Sequence, residues 1–236
     1  MNPPSKVAVR KWMTSAALCA LTIAAAFAAW GELGFSRSVT AGLIERHERQ
    51  FGQGARGRLQ GWKDFVRSAG GPSGQARGNP GGTGHLSPVN GFFNRLEYST
   101  DLAIWGAEDY WATPSEFLAS NSGDCEDYAI AKYFTLKELG VPVVQLRLVY
   151  AKTWKSSVAH MVLAYYSAPG ADPLILDSLQ NGIELASQRP DLIPVYTFND
   201  EDILILQQGA PPIRLGATST RKWRGVLEKL NRELTY

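Results

Sequence analysis

Between Asp124 and Tyr150 the hydrophobic pattern changes period once, and that change restricts the chain to folds in which a helix runs into a strand. Ala129, Ile130, Tyr133, Phe134, Leu136 and Leu139 recur at helical spacing, and Gly140 and Pro142 stop the run. From there the spacing falls to two. Val144, Leu146, Leu148 and Tyr150 alternate with Val143, Gln145, Arg147 and Val149, the pattern of a strand with two distinct faces. His160 to Tyr166, Leu174 to Asp177 and Ile203 to Leu206 predict three more strands. A long helix followed by short strands with short connections predicts an α+β fold, the helix lying against an antiparallel sheet.

Upstream, Val39 to Phe65 reads as an interrupted helical region in which Leu43, His47, Phe51, Leu59, Trp62 and Val66 recur at three-to-four spacings. Residues 68–88 hold seven glycines and no aromatic residue, which predicts a mobile surface loop. Pro114 is placed to open a short helix over Ser115 to Ala119. At the end, Trp223, Val226, Leu227, Leu230 and Leu234 form an apolar stripe among basic residues, expected to dock on the core; a partner-binding surface is the alternative.

The first residues differ in kind from the rest. Lys6, Arg10 and Lys11 precede a charge-free run from Met13 to Ala29, and Ala26-Phe27-Ala28 offers a small-x-small cleavage site. That predicts a signal peptide over 1–28 and an exported protein. An uncleaved anchor is the other reading, since the run is near the lower length limit for spanning a bilayer. The expected layout is then 29–67 as a helical part, 68–88 as the loop and 89–236 as the core. Cleavage removes three basic and no acidic residues, so the net charge falls from +2 to −1, and no nucleic-acid partner is expected. Cys19 leaves with the signal, and Cys125 stands alone. Exported proteins usually pair their cysteines, so a lone one points to a working thiol, with a buried core cysteine as the alternative.

Cys125 follows Asp124 at the start of the predicted helix, where backbone N–H groups and the helix dipole favour a thiolate. Asp124, placed as the N-cap, and Glu126 and Asp127 oppose that ionisation by their charge. The same three carboxylates suit a hard cation such as calcium, which would cancel the repulsion; equally, acids in a first turn satisfy the helix dipole. A cysteine nucleophile needs a base and an orienter. His160, at the start of the apolar strand AHMVLAYY, and Asp177, ending LIL, are the candidates. A core histidine and a turn-forming aspartate are the plainer alternatives. The order Cys, His, Asp along helix, strand and strand is that of papain-like and transglutaminase-like enzymes. The backbone N–H of Cys125, with Trp105, Tyr110 or Trp111, is a candidate oxyanion donor.

VNGFFN, DYWATPSEFL, GDCEDYAIAKYFTLKELGVP, AHMVLAYY and LDSL, spread over residues 89–179, resemble the bacterial transglutaminase-like cysteine proteinases of the periplasmic adhesin-releasing LapG type. The resemblance implies a papain-like core, a protease triad of Cys125, His160 and Asp177, and a calcium site at Asp124, Glu126 and Asp127. It further implies cleavage of a large surface adhesin near its N-terminus, releasing cells from biofilm, and inhibition by an inner-membrane cyclic di-GMP receptor. The glycine-rich stretch departs from the family pattern. Acyl transfer, cell-wall peptide hydrolysis and a noncatalytic binding module are the alternatives that the residues leave open.

Overall fold

The computed structural model describes residues 39–70, 83–154, 159–207, 210–215 and 220–236. The expected signal segment lies outside them, as does the middle of the glycine-rich stretch. Helices α1 (Ala41–Phe51) and α2 (Gly54–Ser68) are separate because Gly52 breaks them with φ 83, a conformation that costs glycine little. Leu43, His47, Leu59, Trp62 and Val66 are buried, as their spacing predicts. Both ends of the glycine-rich stretch are helical: Ser68 closes α2, and a single 3-10 turn, Thr83–His85, leads into α3 (Leu86–Phe93).

Two short strands, β1 (Glu97–Tyr98) and β2 (Ser122–Gly123), pair in parallel with Tyr98 opposite Gly123. Between them lie α4 (Asp101–Trp105) and α5 (Pro114–Ser120). Helix α5 starts where Pro114 places it, closed by a capping box between Thr113 and Glu116.

Helix α6 (Cys125–Glu138) comes next, and it is buried nearly all round, so even Lys132 is 0% exposed. Residues 143–145 form a 3-10 turn rather than the start of the strand, because the chain must first leave the Gly140 C-terminal turn. Strands β3 (Leu146–Thr153), β4 (Ala159–Tyr165), β5 (Leu174–Leu176), β6 (Glu184–Leu185), β7 (Leu192–Phe198), β8 (Ile203–Gln207) and β9 (Ala210–Arg214) form one sheet. Its order is β6-β5-β4-β3-β7-β8-β9, and every pair is antiparallel. Helix α6 packs on β4 and β3 in the middle of this sheet. The fold is α+β.

The last helix, α7 (Arg221–Glu233), docks by its apolar stripe. Trp223 is 0% exposed and stacks on Phe134 of α6 at 5.5 Å, edge-on to Tyr133 and Phe198. Leu234 falls past the end of the helix and stays 37% exposed. No helix among the described residues is long and apolar enough to cross a membrane.

Candidate active site

The path of the chain puts the three predicted residues at one end of the sheet. Cys125 is the first residue of α6, and His160 is the second residue of β4, the strand beneath that helix. The backbone N–H of Met161, next to His160, donates toward the Cys125 sulfur. Asp177 directly follows β5, whose Leu176 pairs with Leu163 of β4. His160 and Asp177 therefore lie on neighbouring strands, and they meet: His160 Nε2 is 2.8 Å from Asp177 Oδ1. A carboxylate only accepts, so Nε2 carries the hydrogen and Nδ1 is the ring nitrogen left to exchange a proton. His160 is 4% exposed and Asp177 0%.

Asp177 is held from every side. Its Oδ1 also accepts from Leu179 N at 3.0 Å, and its Oδ2 from Arg189 Nη2 at 2.7 Å. Its backbone carbonyl accepts from Lys132 Nζ at 3.0 Å and Asn94 Nδ2 at 2.9 Å. Burial works to raise its pKa, but the hydrogen bond and charge of His160, the Leu179 N–H and Arg189 outweigh it and hold the carboxyl below the ordinary range. Asp177 is thus an anion in position to orient an imidazole. Arg189 and Lys132 carry no sequence signal of this role.

The thiol is held back. Burial pushes Cys125 well above its ordinary value, the Glu126 carboxylate, which accepts its hydrogen bond at 3.2 Å, adds to this, and the Met161 N–H opposes it. Glu126 belongs to a cluster of acids. Asp101, Asp124 and Asp127 place one carboxylate oxygen each within 4.8 Å of one another, and so do Asp101, Asp109 and Glu126. Asp124 stands within the same distance of Glu126 and of Asp127, so the expected set is joined through Asp124, and Asp101 and Asp109 lie beside it. Asp124 occupies the N-cap position but makes no side-chain cap bond.

Three buried oxygens in this cluster, Asp101 Oδ1, Asp124 Oδ1 and Asp127 Oδ2, have no hydrogen-bond partner. The other oxygens of two of them are fixed, Asp127 Oδ1 by Ala112 N at 2.7 Å and Asp101 Oδ2 by Tyr110 N. Burial raises all three acids, Asp124 to about 8, Asp101 to about 6 and Asp127 well above its usual value, with Glu126 adding to the effect on Asp124. Buried carboxylate oxygens left bare cost stability unless a cation takes them, so the donor set fits a hard divalent ion. Gly123 permits this crowding: a Cβ there would stand 2.5 Å from Asp127 Oδ2 and 2.7 Å from Phe117.

The aromatic candidates for the oxyanion hole pack against neighbours, while the Trp105 Nε1 hydrogen has no partner among the described residues. Trp105 stacks on Tyr110 at 4.4 Å, the Tyr110 hydroxyl donates to Glu116 at 2.8 Å, and Trp111 stacks on Phe198 at 5.9 Å.

A cysteine on the first turn of a helix packed on an antiparallel sheet is the framework of the papain-like cysteine proteinases. More narrowly, residues 72–192 match the family described as bacterial transglutaminase-like cysteine proteinase, BTLCP, and the chain belongs to that family. Solved structures of Legionella pneumophila LapG are similar. The EGTA-treated form is 38% identical with a TM-score of 0.64, and the calcium-bound form 39% identical with a TM-score of 0.63; each match covers 79% of this chain and 97% of that one. Among curated proteins, none matches the chain in sequence.

Proposed function

We propose that the chain is an exported, calcium-dependent cysteine endopeptidase acting on a large surface adhesin near its N-terminus, with Cys125, His160 and Asp177 as its triad. The observation that carries this reading is the buried His160–Asp177 pair at 2.8 Å beside the helix that begins at Cys125. His160 takes the thiol proton through Nδ1, and the Cys125 thiolate attacks the scissile carbonyl. The imidazolium that forms is stabilised by Asp177 and protonates the leaving amine. Water then hydrolyses the thioester with His160 as base. The backbone N–H of Cys125, free at the helix start, is the proposed oxyanion donor.

Calcium would be held by Asp124, Glu126 and Asp127 together with Asp101 and Asp109. The calcium-bound form of the LapG relative supports the choice of ion. When bound, it would neutralise the Glu126 and Asp124 carboxylates that add to the effect of burial in keeping the Cys125 thiol protonated. The adhesin substrate, a role in biofilm release and control by the periplasmic domain of a cyclic di-GMP receptor are extended to this chain from its family resemblance. Export rests on the pattern of residues 6–29.

Incubating the purified chain with an adhesin N-terminal fragment tests this, wild type beside Cys125→Ala, in calcium and in EGTA. Cutting by wild type alone, lost in EGTA, is the expected result; cutting by Cys125→Ala removes the triad. A second reading, a noncatalytic binding module, is favoured by the low exposure of Cys125, 9%, and its raised thiol. Slow alkylation of Cys125 at neutral pH in the presence of calcium would select it.

A further inference from the structure

Helix α7 docks through Trp223, Val226 and Leu230, and its outer side carries charge that the fold leaves unused. Arg221, Gly225, Glu228 and Arg232 succeed one another about a turn apart, so they run along one side of the helix. Facing them is the Asp109–Trp111 segment, and between the two lies an open groove of about 530 Å³. Lys222 and Lys229 on the helix wall are already held, the first by Asp109 and the second by Glu116, each at 2.9 Å. Arg221 and Arg232 are exposed and have no side-chain partner among the described residues. Cations outnumber acids along the groove, with Asp109 and Glu228 the acids. At Gly225 a Cβ would meet nothing within 4 Å, so the floor is open.

The groove adjoins the active site. Asp109 binds Lys222 in the groove wall and reaches within 4.8 Å of Asp101 and Glu126, and Glu126 accepts the Cys125 hydrogen bond at 3.2 Å. An extended peptide advances about 3.4 Å per residue, so one lying across Cys125 enters the groove within about four residues. Two unpaired guanidinium groups on an open wall are suited to planar carboxylates. A flat anionic membrane fits less well, since the apolar side of α7 is already spent on the core and leaves no apolar face to insert.

We infer that this groove is a subsite for an acidic stretch of the polypeptide substrate, in which Arg221 and Arg232 receive carboxylates a few residues from the bond that is cut. Its role as a subsite rests on the endopeptidase reading; its affinity for an acidic segment does not.

Binding is measured by fluorescence anisotropy on the chain carrying Cys125→Ala. The probes are a fluorescein-labelled peptide of alternating glycine and glutamate, about ten residues long to span the groove, and its glutamine counterpart. The glutamate peptide binds saturably and loses affinity with added salt, the glutamine peptide binds at least about tenfold more weakly, and Arg221→Glu/Arg232→Glu removes that difference. At 221, in the first turn of α7, an acid suits the helix dipole, whereas at 232, in the last turn, it opposes it, so unchanged far-UV circular dichroism of the double variant is the check that this loss is not unfolding. Gly225→Tyr, which fills the floor, gives the same loss, and an unchanged alkylation rate of Cys125 in both variants made without Cys125→Ala confirms that the cysteine side stays folded. Equal binding of the two peptides, wild-type affinity in both variants, or equal competition by phosphatidylglycerol vesicles overturns the inference. A chain that binds the glutamate peptide but cuts no adhesin fragment keeps the groove and loses the endopeptidase reading; one that cuts but ignores the peptide's charge loses the groove alone.

Discussion

Arg189 and Asp177 form an ion pair at 2.7 Å in which the arginine side chain is 6% exposed and the aspartate 0%. Its consequence reaches His160, because the carboxylate that Arg189 grips at Oδ2 is the one that orients the imidazole through Oδ1. Arg189→Met leaves a buried carboxylate with one charged partner fewer. That costs about 3 kcal/mol in urea unfolding, and Asp177 becomes free to turn. Alkylation of Cys125 slows accordingly, with partial recovery in Arg189→Lys. Wild-type stability and alkylation in Arg189→Met would show that the pair is incidental.

Gly123 is fixed by a close approach, with Asp127 and Phe117 both inside 3 Å of where a Cβ would sit. Gly123→Ala pushes on the carboxylate cluster and on α5 together. A loss of about 2 kcal/mol is expected, with weaker calcium binding by calorimetry. Gly57→Ala, where a Cβ meets nothing within 4 Å, is the matched control and leaves both quantities unchanged or improves stability.

The helix of Cys125 and the first two long strands were legible in the sequence because each carries its own periodicity. Strand β7 was not. Pro194 interrupts it opposite Ala151, where the pairing with β3 shifts register, and its burial follows no simple alternation. Residues His160 and Asp177 could be picked out because each ends or begins an apolar run beside a lone cysteine. Arg189 lies in a connection with no pattern of its own. Asp101 and Asp109 join the cluster because the parallel pairing of Tyr98 with Gly123 brings distant segments together, a contact that no local spacing encodes. Lys132 is a charged residue between the apolar positions of that pattern, yet α6 is covered on its side too, which no local spacing encodes.

Asp101 offers the test of that distant contact. Its Oδ1 is buried, bare and grouped with Asp124 and Asp127, so it belongs to the ion's ligand set if calcium binds there. Asp101→Asn keeps the shape and removes the charge. Calcium affinity measured by isothermal titration should fall at least about tenfold, as for loss of a ligand or its support. An unchanged affinity would place the ion without Asp101.

Lys132 makes a prediction in pH. Burial lowers its ammonium to about 7, with the Asp177 charge pulling the other way, and its amine donates to the Asp177 carbonyl. Unfolded, a lysine titrates near 10.5. Between these values the unfolded chain binds more protons than the folded one, so this group makes stability rise as pH goes from about 7 to about 10, and its contribution is lost as pH falls back through 7. The cost of burying it at pH 7 is on the order of a few kcal/mol. Lys132→Met removes that cost and that slope while giving up one hydrogen bond to a carbonyl that Asn94 still satisfies. The variant is therefore expected to be at least as stable as wild type at pH 7, and the gap to narrow toward pH 10 in urea titrations at both values. A variant less stable than wild type at pH 7, with the gap constant in pH, would show that Lys132 stays charged in the fold and acts as a strut beneath Asp177.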